Sequence, residues 1–373
     1  MKKAIQLGLI SILISATGCK LWDGPFLIGG NMVDWSCTAT SCNYGHDIGT
    51  NGWQTIYMPT YENKANFQRA NWDKMMTDLA SANANAARIP LMTEGQGILW
   101  DPSGKKITGP DPAWIENVSY LLRRANDFHL KVEIGLLTGN TPKTPNVHTF
   151  FYGKRQILKD PDTQMDYLNL VIKPLILAIK NEPALVGVDV FGEADGALTE
   201  NAGDVSEEDI RAFTRNSVQL IRSLAPDLKL TASTGYWQHV TPAPIFALLH
   251  GLGLDYYEVH LYNMDGMIQN CSHTSQNPEL TWSELDLPVL LGEFGMAHPV
   301  DGDKDGSASR ALAKTVIANF LKNAKACGLV GALFWAASPG PSLHPESDRF
   351  QNLYTQDGVA KPEILDVLRS ANP

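Results

Sequence analysis

The stretch P-V-L-L-G-E-F-G, Pro288 to Gly295, decides how this chain is read. Its first residues form an apolar run of the kind that makes a strand buried on both faces. The run ends in one carboxylate, Glu293, followed by Phe294 and Gly295. A buried parallel strand that finishes on an acid delivers that acid at its C-terminal end, where α/β barrels keep their reactive groups. A lone glutamate after a strand is also an ordinary partner for a neighbouring helix. The rest of the chain therefore has to say whether this one has company.

Working outward, strand-like and helix-like segments alternate along the whole chain, which predicts α/β with a parallel sheet. The strands are expected at Phe26–Gly30, Ala84–Pro90, Leu130–Leu137, Leu185–Phe191, Lys229–Ser233, Asp255–Leu261, Leu287–Gly292 and Val330–Phe334. Periodic helices are expected between most of them. They include a helix from Asp111 to Phe128, one from Asp160 to Lys180 with a kink at Pro174, one capped by Ser206, and one from Ser307 to Ala326. The segments after the fifth and sixth strands are short. Eight such units close a single (β/α)8 TIM barrel with extended βα loops, so residues 19–373 read as one catalytic domain without a linker.

Composition narrows the function. With 373 residues, 44% of them hydrophobic, the chain builds a large core. A formal charge of −10 and the lack of a basic run beyond the N-terminus argue against a nucleic-acid partner. Nine Trp and eleven Tyr offer flat faces for sugar rings as well as core packing. No Cys/His cluster has zinc spacing, and neither a metal nor a cofactor is expected. Asp301-x-Asp303-x-Asp305-Gly306 has the beginning of a calcium loop, but Leu312 stands where the closing glutamate belongs. It reads as a solvated turn, with Ser307 capping the next helix.

Residues 1–18 have the layout of an export signal: Lys2 and Lys3, an apolar run from Ile5 to Ile14, then small residues before Cys19. Ser15 to Cys19 resembles a bacterial lipobox, which implies lipidation of Cys19, a membrane anchor and an outer-membrane, periplasmic or cell-surface location. The alternative is an ordinary signal peptide cut nearby. In an exported protein Cys37 and Cys42 can close a small disulfide, whereas Cys327, at an apolar helix end, reads as a buried free thiol. A monomer is expected.

Two of the eight strands run into glutamate, the fourth into Glu193 and the seventh into Glu293. Three βα units separate them, so in a closed barrel they face each other across the mouth. Two facing carboxyls are the equipment of glycoside hydrolysis: one protonates the leaving oxygen and the other attacks the anomeric carbon or activates water. Asn181-Glu182-Pro183 is a competing site for the acid, but Glu182 follows a helix and precedes a strand, which places it at the stabilising end of a barrel.

Here the chain resembles the retaining (β/α)8 glycoside hydrolases of the cellulase and mannanase type, closest to glycoside hydrolase family 5. The motifs that carry the likeness are A-N-A-A-R-I-P at 84–90, H-L-Y at 260–262, P-V-L-L-G-E-F-G at 288–295 and F-W at 334–335. The resemblance implies Glu293 as nucleophile and Glu193 as acid/base. It also implies Arg88 and Tyr262 on Glu293, His260 against the sugar or Glu193, and Trp335 beneath the reacting sugar. The substrate would be a β-linked glycan. Arg88 would keep Glu293 ionised, and the Glu293 charge would raise the pKa of Glu193. Trp237, at the exit of the fifth strand, is a further candidate for sugar binding, as are Trp35, Trp53, Tyr57, Trp100 and Trp282. The chain departs from the family pattern at Gly192, where an asparagine is usual, and at Thr138-Gly139-Asn140, which lacks a histidine. Those departures suggest the alternative of a non-catalytic carbohydrate-binding lipoprotein on a degenerate barrel.

Overall fold

The structure is a computed structural model that describes residues 24–33, 67, 69–92, 97–103, 105–139, 155–199, 205–236, 239–272, 280–296, 300–303, 306–338, 352–355 and 358–371. Residues 1–18, expected to be an export signal, and Cys19, Trp35, Cys37, Cys42, Trp53, Tyr57, Trp237 and Asp305 lie outside the described residues.

Eight barrel strands follow the expected order. They are β1 (Leu27–Asn31), β2 (Ala86–Met92), β3 (Lys131–Thr138), β4 (Leu185–Gly192), β5 (Lys229–Thr231 continued by Ser233–Thr234), β6 (Tyr257–Tyr262), β7 (Val289–Gly295) and β8 (Gly331–Phe334). Every pairing between them is parallel, and β1 pairs with both β2 and β8. The ring closes through β5, which is interrupted at Ala232. Its first piece pairs with β4 and its second with β6. One strand thus serves two neighbours by breaking between them, which gives nine strand segments in the sheet.

The strand residues divide between two apolar layers. Leu27, Ala86, Tyr256, Leu290 and Leu333 meet inside the barrel. The alternate residues, such as Val259, Val289 and Leu291, pack outward under the helices. This is why the strands read as unbroken apolar runs. The helices begin where local chemistry allows. Asp111 accepts the Ala113 N–H at 2.9 Å, with Pro112 opening Pro112–Asp127. Ser206 and Asp209 form a reciprocal capping box for Glu207–Leu224.

Several expectations are corrected. The helix runs through Pro174 but is not uniform: the turn before it, Tyr167–Ile172, is π-helical, one of the irregularities found where proline removes an N–H from a helix. Ser307 does not cap Ser307–Ala326: Gly306 occupies the cap with φ +72°, and Asp303 Oδ2 accepts the Ser309 N–H at 2.7 Å. Between β6 and β7 the described residues hold only a 3-10 turn, Trp282–Glu284. An antiparallel hairpin, Ile98–Trp100 with Ile107–Pro110, stands between β2 and the next helix; its strands are too short to show a period in sequence. Finally, Cys327 is not a free thiol. It is bonded to Cys271, 56 residues earlier, with the Cα atoms 4.6 Å apart. The loop after β6 and the end of Ser307–Ala326 meet only in the folded barrel.

Candidate active site

At the C-terminal ends of the strands lies a pocket of about 180 Å³ lined by Arg88, Pro90, Thr138, Gly192, Glu193, His260, Tyr262, Glu293 and Trp335. Larger surface grooves of about 520 and 590 Å³ lie elsewhere, one at the opposite end of the barrel and one against the C-terminal helix. What marks the smaller pocket is the charge buried around it.

Arg88 is the centre of that charge. It projects inward from β2 and is 2% exposed. Its Nη1 lies 2.6 Å from Glu293 Oε1 and 3.1 Å from Asn31 Oδ1, and its Nη2 lies 2.7 Å from Asp189 Oδ2. Nε lies 2.9 Å from Glu258 Oε1 and 3.2 Å from Glu133 Oε1, within ion-pair reach of both without pointing squarely at either. Burial disfavours the charged guanidinium, but Glu258, Glu293, Asp189 and Glu133 outweigh it and fix the charge. A buried cation needs such partners.

Glu293 reaches the mouth by a local irregularity. Along β7, Leu290 faces the barrel interior, and strict alternation would turn residue 293 outward. The register against β6 shifts between Leu291 and Glu293, so that Leu291 pairs with Val259 but Glu293 with His260. The bulge re-aims Glu293 to the inner face. There Tyr262 Oη donates to Glu293 Oε2 at 2.8 Å, opposite the Arg88 contact. Burial and the Glu193 charge push the tyrosine phenol further from ionisation, as does Glu293 itself, so Tyr262 keeps its proton.

Glu193 leaves β4 in the left-handed region, φ +46°, an uncommon conformation for a non-glycine residue. Local bonds hold it there: Ser233 Oγ accepts the Glu193 N–H at 2.8 Å, and the Ser233 carbonyl accepts the Ala194 N–H at 2.9 Å. Gly235 lies directly beneath, where a Cβ would stand 2.4 Å from Glu193 Oε1. His260 Nδ1 sits 2.9 Å from Glu193 Oε1 and 3.5 Å from Glu293 Oε2. One side-chain ligand atom from each of Glu193, His260 and Glu293 lies within 4.8 Å of the other two.

The protonation pattern differs from the expected one. Burial raises the Glu293 carboxyl, and the pull of His260 and Arg88 does not fully offset it. Burial also raises Glu193, but the hydrogen bond from His260 and the charges of His260 and Arg88 outweigh it and leave Glu193 below its ordinary value. The reason is His260. Burial alone would discharge the ring, yet Glu293, Glu193 and Glu258 hold it well above its ordinary range. These opposite shifts favour the proton on the imidazole over Glu193.

Of the sequence candidates, Arg88, Glu193, His260, Tyr262, Glu293 and Trp335 come together. Glu182 does not: it lies in the turn before β4, 3.5 Å from Arg123. Trp282 is buried, with Nε1 donating to the Gln269 carbonyl at 2.5 Å, so it packs and offers no platform. Sequence reasoning missed Asn31, Glu133, Asp189, Tyr256 and Glu258, all buried beneath the pocket. An inward-facing acid two positions before His260 was the available signal for Glu258. At Gly192 a Cβ would lie 3.1 Å from Asp189 Oδ2, so Asp189 occupies the space beside the position of the usual asparagine.

No family model matches the chain. It is similar to mannan endo-1,4-beta-mannosidase from Mytilus edulis, 22% identical over an alignment of 330 residues, gaps included, that covers 78% of this chain and 84% of that protein. It is also similar to the enzyme of the same name from Cryptopygus antarcticus, 23% identical over an alignment of 379 positions, gaps included, that covers 92% of this chain and 88% of that protein. Among solved structures, the beta-mannanase of Mytilus edulis superposes with a TM-score of 0.60 at 18% identity, covering 93% of this chain and 92% of that one. GH5_18 from Streptomyces cattleya, in complex with Manβ1-4GlcNAc, gives 0.63 at 16% identity, covering 93% of this chain and 80% of that one. Barrel and relatives together define the chain as a (β/α)8 glycoside hydrolase. Its fold is similar to that of the GH5_18 barrel.

Proposed function

We propose that this protein hydrolyses β-1,4-mannosidic bonds with retention of configuration, with Glu293 as nucleophile and Glu193 as acid/base. The observation that carries the reading is the approach of the Glu193 and Glu293 carboxyls to within 4.8 Å, oxygen to oxygen. Direct displacement by a carboxylate suits a separation of about 5–5.5 Å, whereas a water between the groups calls for about 6.5–9.5 Å. Arg88 and Tyr262 support the nucleophile's role, since together they fix both Glu293 oxygens and leave the carboxylate one orientation toward the pocket. His260 supports the other role, since its Nδ1 lies 2.9 Å from Glu193 Oε1, where it can pass a proton to it. Trp335 lines the same pocket and suits the face of the reacting sugar. The choice of mannan follows the two mannan-cleaving relatives.

The test is Glu293→Ala. Turnover of an aryl β-mannoside should fall below detection, and added azide should restore it by forming a mannosyl azide of inverted configuration. Undiminished hydrolysis by the variant would sink the assignment. Incubation of the unaltered protein with β-mannan, β-glucan and xylan should release reducing ends chiefly from mannan. Glycan binding without release would instead make the barrel a binding protein.

A further inference from the structure

Glu258, His260 and Tyr262 alternate along β6, which puts all three side chains on the inner face of the barrel. Tyr262 meets Glu293 and His260 meets Glu193, but the reaction proposed above leaves Glu258 without a part. It is fully buried. Its Oε1 lies 3.2 Å from His260 Nε2, while the other ring nitrogen, Nδ1, lies 2.9 Å from Glu193 Oε1. The imidazole is therefore clamped between one carboxylate at the mouth and another below it. The barrel is hollowed to admit the lower one: a Cβ on Gly292 would stand 1.8 Å from Glu258 Oε1, so only glycine leaves that space.

We propose that Glu258 is a positioning residue that fixes His260 with Nδ1 on Glu193, so that the proton given to the leaving oxygen is held by a Glu193–His260 pair and not by Glu193 alone. The proposal rests on the retaining reading above. As a Glu293 oxygen bonds to the anomeric carbon, the bond from that carbon to the leaving oxygen breaks. Nδ1–H of His260 passes its proton to Glu193, and from Glu193 that proton goes to the electron pair of the leaving oxygen, so that Glu193 ends ionised. The pair is left one proton short, with His260 neutral and its Nε2–H still donating to Glu258. When water attacks the glycosyl ester, its proton restores the pair and the carbon–oxygen bond to Glu293 breaks with the electrons returning to the carboxylate. Glu258 sets the tautomer, as the buried acid of a serine-protease triad does for its histidine.

The charged and titratable groups around this clamp come from every adjoining strand. Arg88 on β2 touches Glu258, Asp189 on β4 touches Arg88, and Glu293 on β7 lies on the far side of the ring. Glu133 on β3 takes the Tyr256 hydroxyl on one oxygen. Burial and then the Glu258 charge push Glu133 well above the ordinary carboxyl range, which favours the negative charge on Glu258 over Glu133.

The experiment is the pH profile of kcat/KM on β-mannan for the unaltered protein and Glu258→Gln. Glutamine keeps the shape and the accepting oxygen but removes the charge, so the pair holds its proton less tightly. The basic limb should move to lower pH by about one unit, while the rate at the variant's own optimum stays within about tenfold. Coincident basic limbs would overturn the proposal. In a His260→Asn background, adding Glu258→Gln should not move the limb again, and a second shift of equal size would show that Glu258 does not act through His260. Should Glu258→Gln fail to fold, nitrogen NMR of the unaltered protein decides the matter, with the His260 signals identified by their loss in His260→Asn. Both ring nitrogens should be protonated at about pH 7, and a neutral ring would overturn the clamp. If the unaltered protein releases sugar from no β-glycan, the retaining reading fails, whereas the ring nitrogens still report on Glu258 by themselves.

Discussion

Arg88 Nη1 meets Glu293 Oε1 at 2.6 Å, although the two residues stand 205 positions apart in the chain. The contact takes up one oxygen of the carboxylate, and the Tyr262 hydroxyl takes the other at 2.8 Å. A carboxylate held at both oxygens has little freedom to turn away from a bound sugar, which is the kind of preorganisation that positioning requires.

Tyr262→Phe removes one of those two holds and nothing else, because the ring can stay in place. The lost bond is one to a charged acceptor, worth about 1.5–3 kcal/mol. A fall in kcat of about 10- to 100-fold is expected, and the urea midpoint should drop by no more than that bond is worth. Kinetics on β-mannan beside a denaturation curve would check both halves.

Gly235→Ala tests the seat of Glu193. The added methyl would lie 2.4 Å from Glu193 Oε1 and 2.7 Å from Cδ, so the carboxyl must swing away. Glu193 borders the open cleft, with about a quarter of its side chain exposed, so it can move without breaking the core. Misplacing a reacting group by about 1 Å costs about 100-fold in rate. That loss of kcat, with unfolding behaviour preserved, is the expected result.

The Cys271–Cys327 bond closes a loop over a separation of 56 residues. Chain entropy gives such a crosslink about 4 kcal/mol. Urea unfolding with and without reductant, or of the Cys271→Ser/Cys327→Ser pair, should show a drop of that order. Identical midpoints would mean that the bond does not form in solution.

Stability should fall as pH rises from mildly acidic values past neutrality. Burial, then the Glu258 charge, raises Asp189 from 3.8 to about 6. A group raised on folding contributes stability that is complete below its unfolded value and lost as pH climbs through the folded one. Glu133, Glu293 and His260 are shifted in the same direction and add to the effect. Glu193 and Glu258 are lowered, so their contribution is lost only as pH falls below the ordinary carboxyl range. Urea midpoints between about pH 4.5 and 8 should therefore decline with pH; a rise across that window would contradict the buried acid cluster.

The sequence by itself determined the eight-strand order, the barrel class and the two strand-end acids Glu193 and Glu293, and its likeness to family 5 hydrolases marked the other four residues of the pocket. Those features are local: apolar runs, caps such as Asp111 and Ser206, and acids placed at strand ends leave a mark within a few residues. Other features belong only to the tertiary structure. The β7 bulge that turns Glu293 inward is a register relation with β6, and no periodicity within β7 reveals it. The break in β5 at Ala232 shows only in how its two pieces pair, one with β4 and one with β6. Cys271 finds Cys327 only once the barrel brings a loop and a helix end together. The preference of the proton for His260 over Glu193 depends on burial and on charges from four strands, because a pKa is set by three-dimensional surroundings. For the same reason Glu258, plain in the sequence as one acid among forty, acquires a role only when the fold sets it beneath the ring of His260.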